Sequence, residues 1–152
     1  WCYFYFYTSF KVNKQANQDR SQAMTNEQKR RILVVDDEPD MTLLFKMALE
    51  SDGSFTVSTF NDPLIALSNF KAGLYDLIIL DIKMPKMDGF DLYQEIKKID
   101  SQVKICFLTA SEMYYEEFRK EAYCSLDRDM FLRKPIENED LLEKINMIFR
   151  SN

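Results

Sequence analysis

Histidine is missing from all 152 residues of this chain. That absence removes a histidine general base, an internal phosphohistidine carrier and the usual nitrogen ligand of zinc. Cysteine is scarce, and Cys2, Cys106 and Cys124 show no CxxC spacing, so neither a zinc site nor a disulfide framework is expected. Three unpatterned thiols fit a reducing cytoplasm, and Cys106, inside an apolar run, reads as a small buried hydrophobe. Long apolar runs are lacking too. The aromatic opening Trp1 to Phe10 is too short to span a membrane, and no basic region precedes it to mark a signal peptide. Basic clusters are also absent: 20 Lys and Arg stand against 25 Asp and Glu, net −5, with no cationic stripe. Direct binding to nucleic acid, which needs cations to neutralise phosphates, is therefore not expected, and neither is a membrane partner.

What is present is enough for one domain, with 46% hydrophobic and 30% charged residues. Residues 1–30 read as an N-terminal extension, either disordered or a non-native start with Met24 as the initiator; the rival reading is an aromatic patch for a partner or a membrane surface. Residues 31–150 read as the folded domain, and the chain left after Lys134-Pro135 suffices for one helix, so no output domain is expected. Ile32–Val35, Phe55–Phe60, Leu77–Leu80, Val103–Leu108 and Met130–Arg133 read as strands. Helices are expected between them. The first carries Met41, Leu44, Phe45, Ala48 and Leu49 on one face, and the second is capped by Asp62, begun by Pro63 and ended by Gly73. Phe90–Ile99, residues 112–123 and a closing amphipathic segment with Leu141, Leu142, Ile145, Ile148 and Phe149 complete five. The alternation predicts an α/β protein, a doubly wound parallel sheet with helices on both faces.

Asp36, Asp37, Asp81, Thr109 and Lys134 break the apolar pattern, each at the C-terminal end of a predicted strand. Open α/β sheets bind ligands there, at the point where the strand order reverses. Three carboxylates in one crevice repel, since two unit charges about 4 Å apart at an effective dielectric near 20 cost on the order of 4 kcal/mol. Shared protons or a cation must relieve that cost, and oxygen-only ligands with room for water and phosphate favour Mg2+. A nucleophilic Asp, a divalent ion and a Lys clamp are what phosphoryl transfer to a carboxylate requires. Singly these residues are ordinary: a strand-end Asp pair is often a helix cap, and Lys-Pro is often a turn.

Ile-Leu-Val-Val-Asp36-Asp37-Glu38, Ile-Leu-Asp81-Ile-Lys-Met84-Pro85-Lys-Met-Asp-Gly89, Leu-Thr109-Ala110 and Lys134-Pro135 together closely resemble the response-regulator receiver family of two-component signalling, over residues 31–150. The resemblance implies a flavodoxin-like, three-layer fold with strand order 2-1-3-4-5. It makes Asp81 the phosphoacceptor and Asp36, Asp37, Asp81 and the Lys83 carbonyl the Mg2+ ligands. Thr109 and Lys134 would contact the phosphoryl oxygens, with a cis Lys134-Pro135 bond. It further implies a switch in which Phe131 follows Thr109 inward, altering the face made by the fourth helix, fifth strand and fifth helix. Phe131 lacks the hydroxyl that would reward an outward position; the plainer reading makes it core. Gly89 reads equally well as a tight-backbone requirement or a plain loop glycine. Lys83 and Ser111, two positions beyond Asp81 and Thr109, would tune loss of the phosphate.

The stretch Glu121 to Asp129 departs from the small-residue turn common in the family. It leaves the acidic pocket untouched and the output face in question. The leading expectation is a stand-alone cytoplasmic receiver, not an enzyme beyond its own phosphorylation and dephosphorylation. The donor would be a histidine kinase or phosphotransfer protein, and the output would run through an effector protein, with a homodimer as one form of activation. The alternative is a receiver-like interaction module that works without phosphate. A magnesium-dependent aspartyl phosphatase fits poorly, because no acid stands two residues after Asp81.

Overall fold

The apolar runs become five strands of one parallel sheet in a computed structural model that describes residues 29–51, 53–110 and 130–151. The strands are β1 (Arg30–Val35), β2 (Phe55–Phe60), β3 (Leu77–Asp81), β4 (Lys104–Thr109) and β5 (Phe131–Arg133). Their order is β2-β1-β3-β4-β5, the doubly wound arrangement expected. Four helices accompany them among the described residues: α1 (Pro39–Glu50), α2 (Pro63–Asn69), α3 (Gly89–Ile99) and α4 (Asn138–Arg150). The helix expected over residues 112–123, the atypical stretch after it, Ser111, Cys124 and residues 1–28 lie outside the described residues.

Continuous apolar strands arise because both faces of the sheet are covered. Side chains alternate across a strand, so Ile32, Val34, Leu77, Ile79, Cys106 and Leu108 join one cluster with Phe45, Leu49, Leu141 and Ile145 from α1 and α4. Leu33, Val35, Ile78, Leu80, Ile105 and Phe107 join the other with Ala66, Leu92 and Ile96 from α2 and α3. Each fully buried side chain of this kind stabilises the fold by roughly 1.5–3 kcal/mol. Cys106 is fully buried, and desolvation pushes its thiol up to about 12, so it is the inert hydrophobe its setting in an apolar run implied.

Helix starts follow local chemistry. Pro39 and Pro63 occupy the first turns of α1 and α2, where a missing N–H costs nothing. Asp62 accepts from the main-chain N–H groups of Leu64 and Ile65, and Asp88 does the same for Phe90 and Asp91. Two helical expectations are corrected. Leu44 does not belong to the buried face of α1: it is 49% exposed, beside Leu43 and Met47, and Thr42 takes the inward place. Gly73 does not end α2, which stops at Asn69 with Phe70 as its cap. Gly73 instead makes a later turn at φ 73°, where its N–H donates to Asp100 Oδ2 at 2.9 Å. β1 takes in Arg30, which pairs with Phe55.

Candidate functional site

Register brings the special residues together. Val35 pairs with Leu80, Asp81 with Leu108, and Thr109 with Arg133, so Asp36, Asp81, Thr109 and Lys134 follow one another along the same edge of the sheet. Asp36 follows Val34 by two residues and Asp81 follows Ile79 by two, so both acids continue the alternation toward α1 and α4. The Lys134 N–H donates to the Thr109 carbonyl at 2.8 Å, and the Lys134-Pro135 bond is cis.

Lys134 points back across the sheet. Its Nζ donates to Asp36 Oδ2 at 2.7 Å and lies 3.2 Å from Asp81 Oδ1. The other Asp36 oxygen accepts from the Glu38 N–H at 3.0 Å. Asp36 is wholly buried and Asp81 nearly so, whereas Asp37 is the least covered of the three acids. Burial lowers the affinity of Lys134 for its proton, but Asp36 and Asp81 outweigh it and hold the ammonium above its ordinary value. One lysine does not satisfy three acids. Burial and then repulsion from Asp36 push the Asp81 carboxyl from 3.8 up to about 6, against the pull of Lys134.

One ligand oxygen from each of Asp36, Asp37 and Asp81 lies within 4.8 Å of the others. The donors are all oxygen and lie close together, so the set fits a hard divalent cation such as Mg2+. Asp37, Asp81, Lys83, Thr109, Ala110 and Lys134 line an open crevice of about 380 Å³ at this point, enough for a phosphoryl group with water.

The turn after β3 is held tightly against the end of that strand. The Gly89 N–H donates to the Ile82 carbonyl at 2.9 Å, and a Cβ built on Gly89 would stand 2.3 Å from the Asp81 carbonyl oxygen. Close backbone approach, rather than a left-handed φ, is therefore the reason for glycine here. Lys86 does take the left-handed conformation, at φ 71°, and its ammonium pairs with Asp62, which ties the turn to the start of α2. Phe131 stacks on its register partner Phe107 with ring centroids 5.3 Å apart, and Phe107 in turn meets Phe90 at 5.0 Å and Tyr93 at 5.6 Å. Phe131 is thus half-buried within an aromatic group.

The motif reading missed Asn61. Its Nδ2 donates to the Asp36 carbonyl at 2.8 Å and to Thr42 Oγ1 at 3.0 Å. The only sequence signal was a polar amide directly after a strand, beside a more conspicuous cap at Asp62.

A family model for the response regulator receiver domain matches residues 32–146, and the chain belongs to that family. It is 31% identical over 124 residues to the transcriptional regulatory protein RprY of Bacteroides fragilis, covering 82% of this chain and 51% of that protein. It is 35% identical over 120 residues to the CpxR homolog of Haemophilus influenzae, covering 79% of this chain and 50% of the relative. The chain thus spans about half the length of these curated relatives. Among solved structures, the response regulator TrrA of Thermotoga maritima in complex with Mg2+-BeF is 35% identical with a TM-score of 0.66, over 78% of this chain and 98% of that one. TrrA has also been solved in complex with the histidine kinase ThkA. The absence of a basic stripe speaks only for this domain's own surface, because relatives twice its length are named transcriptional regulators. No helix among the described residues is long and apolar enough to cross a membrane.

Proposed function

We propose that residues 31–150 form a receiver that takes a phosphoryl group on Asp81 from a phosphohistidine of a partner kinase or phosphotransfer protein. Mg2+ would be held by Asp36, Asp37, Asp81 and the Lys83 carbonyl. The carrying observation is the bridge from Lys134 to both Asp36 and Asp81 above an open crevice. TrrA supports the reading, since that relative is described with Mg2+-BeF and with a histidine kinase.

The chemistry balances within these groups. An unprotonated Asp81 oxygen attacks phosphorus as the P–N bond to the donor imidazole breaks, and the bonding pair leaves with the imidazole nitrogen. The product is an acyl phosphate, which water later hydrolyses. Mg2+, when bound, supplies the positive charge that offsets the clustered acids and the transferring group. Lys134 then turns Nζ toward phosphoryl oxygens, and Thr109 donates its hydroxyl. Inward movement of Thr109 draws Phe131, already half-buried on Phe107, and the face around β5 and α4 carries the change to an effector protein. One bond to Thr109 falls well short of the roughly 5.5 kcal/mol that inverts a 1:99 equilibrium, so effector binding completes the switch. The setting is the cytoplasm, and output by protein contact holds whether the receiver acts alone or within a longer regulator.

Beryllofluoride, which mimics the phosphoryl group on a carboxylate, tests this. Nuclear magnetic resonance should show Mg2+-dependent binding, with the largest amide shifts at Asp81, Thr109, Phe131 and Lys134. No binding, with the protein folded, would favour an interaction module that works without phosphate.

A further inference from the structure

We infer that Asn61 is a positioning residue for the acidic loop, setting the affinity of the crevice for Mg2+ without touching the metal or the phosphoryl group. This rests on the proposed reading of the crevice as a metal-dependent phosphorylation site. The Asp36 N–H donates to the Phe60 carbonyl at 3.2 Å, which continues the β1–β2 ladder one step past its end. The Asp36 carbonyl, at the next step, accepts from the Asn61 side chain. Both main-chain polar groups of Asp36 are thereby fastened to the end of β2.

That carbonyl belongs to the peptide unit whose nitrogen is Asp37. Because the peptide is planar and the Asp36 N–H is already held, a bond at this oxygen restricts rotation of the unit, so the amide of Asn61 constrains where the Asp37 side chain begins. The dependence is unequal between the two acids. Asp36 has its carboxylate held independently by Lys134 and the Glu38 N–H. Among the described residues no hydrogen bond or ion pair holds the Asp37 carboxylate, so its place rests on the main chain alone.

Asn61 is itself oriented. Its Nδ2 also donates to the hydroxyl of buried Thr42, which donates onward to the Pro39 carbonyl at 3.0 Å. The chain Asn61, Thr42, Pro39 closes a loop around Asp36-Asp37-Glu38, joining the end of β2 to the first turn of α1. Groups that orient a ligand in this way typically change metal affinity by about 10–100-fold when removed. The lower end applies here, because Asn61 acts through main chain on one of three acids.

Calorimetric titration of Mg2+ into the full chain tests the inference, with phosphorylation by acetyl phosphate measured in parallel. Asn61→Ala should raise the Mg2+ dissociation constant about tenfold, and Asn61→Ser, whose hydroxyl is too short to reach the Asp36 carbonyl, should move it the same way. At saturating Mg2+ both variants should phosphorylate within about twofold of wild type, since Asn61 makes no contact with the reacting groups. Thr42→Val, which keeps the bond to Asp36, should shift the dissociation constant less than Asn61→Ala. An unchanged constant in both Asn61 variants, beside a wild type that binds Mg2+, overturns the positioning role. So does a phosphorylation defect that saturating Mg2+ leaves in place. A folded wild type that binds no Mg2+ overturns instead the reading of the crevice.

Discussion

Lys134→Met is expected to lower stability at pH 7, without Mg2+, by about 3–5 kcal/mol, the usual cost of removing one partner from a buried ion pair. Two acids depend on this ammonium, and one of them, Asp36, has no solvent exposure. Methionine preserves most of the stem's packing, so the loss isolates the charge. Without the lysine the folded state must take up a proton or leave both carboxylates unrelieved. The deficit should therefore shrink as pH falls from 7 toward 5. Mg2+ should restore part of the stability, because binding to the folded state alone adds about 2.7 kcal/mol at a hundredfold excess over the dissociation constant. Urea titrations with and without Mg2+ measure both effects. A loss that neither acid nor Mg2+ reduces would mean that Lys134 serves packing rather than charge.

Asp81→Asn should act in the opposite direction. A carboxyl whose folded value is raised from 3.8 to about 6 binds its proton more tightly in the folded state. The penalty is absent below about pH 4, grows as pH rises through the interval, and is complete above about pH 6, where about two pH units correspond to roughly 3 kcal/mol. Asparagine carries no charge and escapes that penalty. The variant should be more stable than wild type by up to about 3 kcal/mol at pH 7 and equal to it near pH 4. Saturating Mg2+ should narrow the gap, since on the proposed reading wild type gains more from a metal that Asp81 would help to hold. Urea midpoints across this pH range check the sign: a variant less stable at pH 7 would show that Lys134 more than compensates Asp81.

These two changes concern residues legible before any coordinates, for a physical reason. Strands buried on both faces read as unbroken apolar runs, so a charged residue at their ends is conspicuous. The doubly wound order then places Asp36, Asp81, Thr109 and Lys134 at one edge. Legibility fails where the cause lies across the fold. Leu44 satisfied the helical spacing yet is exposed, while Thr42 faces inward with its hydroxyl engaged with Asn61 and Pro39. Gly73 looked like a helix stop, but α2 ends earlier and the glycine serves a turn joined to Asp100. Gly89 was undecided on composition alone; the Asp81 carbonyl pressed against it decides the matter. Asn61 carried no motif, because its role depends on a register between β1 and β2 that no local pattern encodes.

The central claim is that Asp81 accepts phosphate, and intact mass measures it most directly. Wild type and Asp81→Asn are incubated with acetyl phosphate and Mg2+, with a parallel sample lacking the metal. Wild type should gain the mass of one phosphoryl group, slowly or not at all without Mg2+, and lose it on standing as the acyl phosphate hydrolyses. Asp81→Asn should gain nothing. Equal labelling of the two proteins would place the acceptor elsewhere and contradict the account.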